Sequence, residues 1–338
     1  MRRMALVLFV LAVMPPAAQA ANAAFLERFE QAWKLVAEFY WDTGYGGVDW
    51  QAVGERYRER VAQAASWDEV YRLLDEMYAE LGDDHSQVLS PAEARAALRG
   101  AACLPLPFPA PRPEPPAPAD GGAPAEEAGP AGGEAEEGEE APSPYAQAFS
   151  YRLYGDVAYL RVANLVDETV PTELAEAVRE LEQRGVRGYV LDLRDNPGGL
   201  ALVMAEVAGV FMRGLPWRIV TRTKGVTPQP TLPFWGRPES EKPLVVLING
   251  NVHSAAEGLA GALKRAGRAQ LVGVTTAGNT EVVLPYCFPD GGVAMLASGV
   301  LAPIGAPTWE GRGVEPDVEV RGEAEQLARA IELLRNAP

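Results

Sequence analysis

The stretch Pro243–Ala266, PLVVLINGNVHSAAEGLAGALKRA, joins a continuous apolar run to a glycine and asparagine turn and then to a helical pattern. Leu244–Ile248 has no polar alternation. That marks a strand buried on both faces, and such strands belong to sheets covered by helices. Ser254 opens the helix that follows. Its hydroxyl sits among the free amides and the positive dipole end of a helix N-terminus, where a developing anion is favoured. Position alone leaves two readings open, a plain N-cap or a nucleophile.

The pattern recurs upstream. GYVLDLR (188–194) reads as a second buried strand, followed by DNPGG (195–199) and the apolar helix LALVMAEVAGVFM (200–212). Glycines after a buried strand let the backbone approach a ligand and turn an amide outward, as an oxyanion hole requires. Taken alone, Pro-Gly-Gly is a turn. Around these lie a hairpin turning at Gly155-Asp156, a helix from Pro171, strands in AQLVGV (269–274) and GVEPDVEV (313–320), and a hairpin around PDGG (289–292). Strands and helices alternate, so residues 145–338 read as an α/β core with a mostly parallel sheet.

Residues 21–102 read differently. Phe25, Phe29, Trp33, Val36 and Tyr40 share one helical face, and a second helix follows from about Asp49. Ser66 and Glu69 fit a capping box ahead of Val70, Leu73, Leu74, Met77, Tyr78 and Leu81, and Ser90, Pro91 and Glu93 open a fourth helix. This is a small all-helical N-terminal domain. Residues 103–144 are Pro, Ala, Gly and Glu, a composition that reads as a disordered linker. Half of the net charge of −16 falls within it, which argues against a nucleic-acid partner and says little about the folded surface.

Residues 1–20, with Arg2 and Arg3, an apolar run and a small-residue ending at Ala20, read as a signal peptide. Membrane contact is then expected only through an uncleaved signal, and the chain is expected in the periplasm or cell exterior. Two cysteines, Cys103 and Cys287, allow one disulfide in that oxidising setting.

GYVLDLRDNPGGL (188–200), PLVVLINGNVHSAAEGLAGALKRAGRAQLVGVTTAG (243–278) and GRGVEPDVEV (311–320) resemble, in order and spacing, the catalytic domain of the C-terminal processing peptidases and their tricorn-protease-core relatives. LGDDHSQVLSP (81–91) resembles the segment that closes the helical region in that family. The resemblance implies a ClpP/crotonase-like β-β-α core and a serine peptidase reaction, with neither cofactor nor metal. Ser254 matches the nucleophile, Ala255 the residue whose amide helps hold the oxyanion, and Gly198 or Gly199 the glycine supplying the other amide. The family usually carries a PDZ domain where this chain has its acidic segment.

In the processing peptidases the base is a lysine in a glycine turn. Here the turn reads AGNTE (277–281), with Asn279 at the lysine position. An amide nitrogen does not take up a proton at neutral pH, so a lysine dyad is excluded there. Lys34, Lys224, Lys242 and Lys264 match no catalytic position, and His253 reads as a pocket wall beside Ser254. His85 resembles the catalytic histidine of the tricorn-like branch, although a histidine in that motif also has a structural reading. Glu310 lies where tricorn-like members carry a glutamate, and Glu257 reads as a structural contact. The reading is Ser254 as nucleophile, His85 as base and Glu310 as orienting acid, in a peptidase acting on peptides or unfolded proteins. Activity is then expected to require docking of the helical unit on the core. The alternative is an inactive pseudopeptidase that binds peptides or acts as a scaffold.

Overall fold

The structure, a computed structural model, describes residues 16–98, 102–108 and 147–337. The signal-peptide reading therefore lies outside the described residues except for residues 16–20, which are helical, and residues 109–144 of the expected linker lie outside them altogether.

Helices α1 (Pro16–Phe39), α2 (Trp50–Val61) and α3 (Trp67–Ala79) begin the chain. Their starts follow from single side chains: Asp49 accepts the Ala52 amide and Ser66 the Glu69 amide, satisfying donors that a helix leaves free. Strand β1 (Gln87–Leu89), helix α4 (Pro91–Leu98) and strand β2 (Leu104–Pro105) follow. Ser90 and Glu93 cap α4 reciprocally, each side chain accepting the other's backbone amide. The remaining elements are β3 (Phe149–Tyr154), β4 (Val157–Val162), α5 (Val170–Gln183), β5 (Gly188–Asp192), α6 (Ala201–Phe211), β6 (Trp217–Thr221), β7 (Gly225–Gln229), β8 (Leu244–Ile248), α7 (Ser254–Arg265), β9 (Gln270–Gly273), β10 (Glu281–Cys287), β11 (Val293–Pro303), β12 (Val318–Glu319) and α8 (Glu323–Arg335).

One sheet runs β12-β9-β8-β5-β4-β3 and is parallel except at the β3–β4 hairpin. Alternation sorts its two faces. Leu160, Leu191, Val246 and Leu271 pack with α5, α6 and α7, while Val190, Val245, Leu247 and Val272 pack with Ala330 and Leu334 of α8. Burial on both faces explains the unbroken apolar runs of β5 and β8.

A second, mixed sheet runs β2-β10-β11-β6-β7, with β1 also paired to β11. The sequence pattern announces little of it, because β6 and β7 are largely half-exposed or exposed and too short to show a period of two. Helices α1 to α3 lie on this sheet: Phe29, Val36, Leu74 and Met77 share one core with Tyr286, Phe288, Ala294 and Leu296. The stretch 21–102, expected as an all-helical unit, thus also gives strand β1 to this sheet. The helices bury their apolar faces against β10 and β11 rather than only against one another.

Two further ties hold the contact. Arg28 donates from Nη1 to Tyr71 Oη and to Asp290 Oδ1, each at 2.6 Å. Cys103 and Cys287 are joined, with Cα atoms 5.4 Å apart, and β2 pairs alongside β10. Residues 103–108 are thus structured, which shortens the expected linker at its start. Among the described residues no helix is long and apolar enough to cross a membrane.

Candidate active site

Ser254 lies at the start of α7 with φ +52°, a left-handed angle rarely adopted by a residue with a side chain. Its amide donates to Asn279 O at 2.7 Å and to Glu257 Oε2 at 3.1 Å, while the preceding amide of His253 donates to Asn196 O at 3.0 Å. Glu257 is fully buried, and its carboxylate also accepts from Thr276 Oγ1 and from the amides of Gly278 and Asn279. One carboxylate therefore fastens the serine and the 276–279 turn together, with both of its oxygens engaged by these donors.

The glycine turn meets the serine directly. A Cβ on Gly198 would stand 2.8 Å from Ser254 Cβ and 3.0 Å from the Ala255 amide nitrogen, so only glycine fits. The two candidate glycines differ in their amides. Gly198 donates its own to Asn196 Oδ1 at 2.8 Å. Gly199 forms a parallel bridge with Leu165 in which Leu165 bonds Gly198 O and Leu200 bonds Leu165 O, which leaves the Gly199 amide pointing away from Leu165. Ala255, in the first turn of α7, carries one of the amides that a helix leaves without an acceptor.

His85 sits two residues before β1, in a turn where Asp83 Oδ1 accepts the amides of His85 and Ser86. Its ring Nδ1 lies 2.9 Å from Glu281 Oε2. The hydrogen bond to Glu281 holds the imidazole above its ordinary pKa, against the opposing effect of burial and with further support from the charges of Glu281, Asp83 and Glu310. Glu281 accepts a second hydrogen bond, from Trp41 Nε1 at 2.6 Å, on its other oxygen.

Glu310, the expected partner of His85, is turned elsewhere. Its Oε2 accepts the amide and hydroxyl of Thr280. Burial pushes its carboxyl up, with repulsion from Glu281 and Glu257 adding to the shift. The expectation of a His85–Glu310 pair is corrected: β10 begins at Glu281, and a bulge between Val282 and Val283 in its pairing with β11 separates the register there from the rest of the strand.

Residues 156–320 match the family model described as peptidase family S41, and residues 21–79 match the Tricorn protease C1 domain. The chain carries a peptidase family S41 domain. A carboxy-terminal-processing protease of Bartonella bacilliformis is 32% identical over 181 residues, covering 52% of this chain and 41% of that protein. A carboxyl-terminal-processing protease of Synechocystis is 26% identical over 320 residues, covering 78% of this chain and 74% of that one. The match thus spans well under half of the Bartonella protein. A solved structure titled photosystem II D1 C-terminal processing protease superposes with a TM-score of 0.64 at 19% identity, covering 90% of this chain and 97% of that chain, and it shares the fold.

Within the S41 domain, Asn279 stands between serine and histidine. Its carbonyl accepts the Ser254 amide, its Nδ2 donates to Asp84 Oδ2 at 3.4 Å, and its Oδ1 is buried without a hydrogen-bond partner. The turn holding His85 therefore lies against the same residue that holds Ser254, though no hydrogen bond joins His85 to Ser254 Oγ in this structure. No lysine substitutes: Lys242 bonds Val186 O, Lys264 bonds Glu315 O, Lys34 pairs with Glu38, and Lys224 is exposed in the β6–β7 turn. Glu281 and Trp41 are the residues that the motifs missed. The available signal was an acid at the head of the apolar run EVVLPYCF (281–288), where a charged group requires a partner.

Proposed function

We propose that this protein is an exported serine peptidase that cleaves peptides or unfolded protein segments through an acyl-enzyme. The observation that supports the reading is the contact of the His85 turn, through Asp84, with Asn279, the residue whose carbonyl holds the Ser254 amide, while the imidazole of that turn is paired with a carboxylate. Ser254 Oγ attacks the scissile carbonyl while His85 Nε2 accepts its proton. The amides of Ala255 and Gly199 stabilise the oxyanion, since Gly198's amide is already engaged. The tetrahedral adduct collapses, the C–N bond breaks, and His85 returns the proton to the leaving amine. Water repeats the sequence on the ester. Glu281 fixes the tautomer and stabilises the imidazolium, with Glu310 behind it. Export is supported by the Cys103–Cys287 bond, which persists in oxidising compartments.

A second reading, an inactive peptide-binding protein, is favoured by Asn279 at the lysine position and by the missing Ser254–His85 hydrogen bond. A fluorophosphonate probe separates the two. Labelling of the wild type that is lost in Ser254→Ala and in His85→Ala supports the peptidase. A silent wild type that gains labelling on Asn279→Lys supports the inactive protein.

A further inference from the structure

Trp41 belongs to no motif, yet it touches the residue that orders the histidine. It follows the end of α1, and its backbone amide donates to Ala297 O of β11 at 3.0 Å, fixing the residue against the neighbour strand of β10. Its indole Nε1 donates to Glu281 Oε1 at 2.6 Å, while Glu281 Oε2 lies 2.9 Å from His85 Nδ1. The Glu281 side chain is 6% exposed, so water offers it little alternative hydrogen bonding.

We propose that Trp41 is a positioning residue that sets His85 through Glu281. This rests on the reading of His85 as the base. A carboxylate held only by an imidazole can rotate about its terminal bond and withdraw the oxygen that Nδ1 needs. With one oxygen fastened by an indole, the other stays on the ring, the proton stays on Nδ1, and the Nε2 lone pair remains available for Ser254. Indole suits the task because it donates and does not accept, so it takes no part in the proton transfer itself. The arrangement also explains the coupling between helices and core. The nucleophile is on α7, the orienting acid on β10, the histidine ahead of β1, and the group that pins the acid at the end of α1.

The other groups facing His85 are Asp83 in its own turn and Glu310 from the loop ahead of β12, with the Tyr40 phenol beside Asp83 and Glu281. Of the carboxylates, Glu281 is the one on the ring nitrogen.

The test is the titration of His85 in the full-length chain, followed by NMR of labelled histidine and assigned against His85→Gln, since His253 is the chain's other histidine. Trp41→Phe is expected to lower the His85 midpoint by about 1 unit as the carboxylate loses its fixed orientation. The acid limb of Ser254 labelling is expected to move with it. In a Glu281→Gln background the same Trp41 change is expected to move nothing further. Replacement of Trp41 by 3-benzothienylalanine, which keeps the shape without the N–H, is expected to repeat the shift without the loss of packing that Phe brings. An unchanged or raised midpoint in these single variants, or an equal drop with and without Glu281, overturns the proposal. The titration does not require activity. A wild type that never labels defeats the peptidase reading while this test still returns its own result.

Discussion

Ser254 holds a backbone angle that glycine would adopt without strain, and the molecule retains a serine there. The local strain is offset by the two hydrogen bonds on its amide and by the fit of Gly198 beneath it. Gly198→Ala would force a methyl group onto Ser254 Cβ at a φ of +89°. If Ser254 is the nucleophile proposed, its displacement is expected to cost on the order of 100-fold in probe labelling, with circular dichroism checking that the fold survives. Labelling at the wild-type rate would show that the turn does not set the serine. The histidine makes a pH prediction. Its pKa is raised, and a base must be neutral, so Ser254 reactivity should fall as pH drops through a midpoint above about 6.5. Glu281→Gln should move that limb downward. The linked stability runs the other way: the folded chain binds the His85 proton more tightly than the unfolded chain, so this contribution is complete below about 6.5 and is lost as pH rises through the folded midpoint.

Strand β10 does several jobs in seven residues. Its first residue holds His85, its pairing with β11 is interrupted by a bulge, and its last residue, Cys287, is bonded to Cys103. The disulfide closes a sequence separation of 184 residues, so its loss frees a large part of the unfolded ensemble. Replacing both cysteines by serine is expected to lower stability by about 2–5 kcal/mol, measured by denaturant unfolding, and to release β2 from the sheet edge. An unchanged unfolding midpoint would mean that the apolar contacts of the helices carry the attachment unaided. At this scale the sequence was readable wherever a pattern was local. The capped starts of α2, α3 and α4, the buried strands β5 and β8 and the β3–β4 hairpin all follow from spacing within a few residues. Strands β6 and β7 did not, because their burial is incomplete and is set by β11 rather than by their own pattern.

At the scale of the whole molecule, a shared core joins α1–α3 to the second sheet. Removing the helices would expose Tyr286, Phe288, Ala294 and Leu296, and would take away His85 and Trp41. A chain reduced to residues 147–338 is therefore expected to aggregate and to show no probe labelling, checked by size-exclusion chromatography and in-gel fluorescence. A monomeric, labelled fragment would refute both the shared core and the role of His85.

Sequence by itself determined the α/β alternation, the serine at a helix mouth, the glycine turn and the absence of a lysine at position 279, because each is written in residue type or in short-range periodicity. It placed His85 and chose Glu310 as its partner, and it offered no reading of Glu281. Only the tertiary structure decided that Glu281 meets the imidazole, that Glu310 turns to Thr280, and that Trp41 fastens the acid from the far end of a helix. The His85–Glu281 pair is 196 residues apart along the chain, and the Trp41–Glu281 pair 240. Such contacts have no period to read. They arise because burying the helices' apolar face on β10 and β11 carries the polar residues at its rim, His85 and Trp41, onto Glu281.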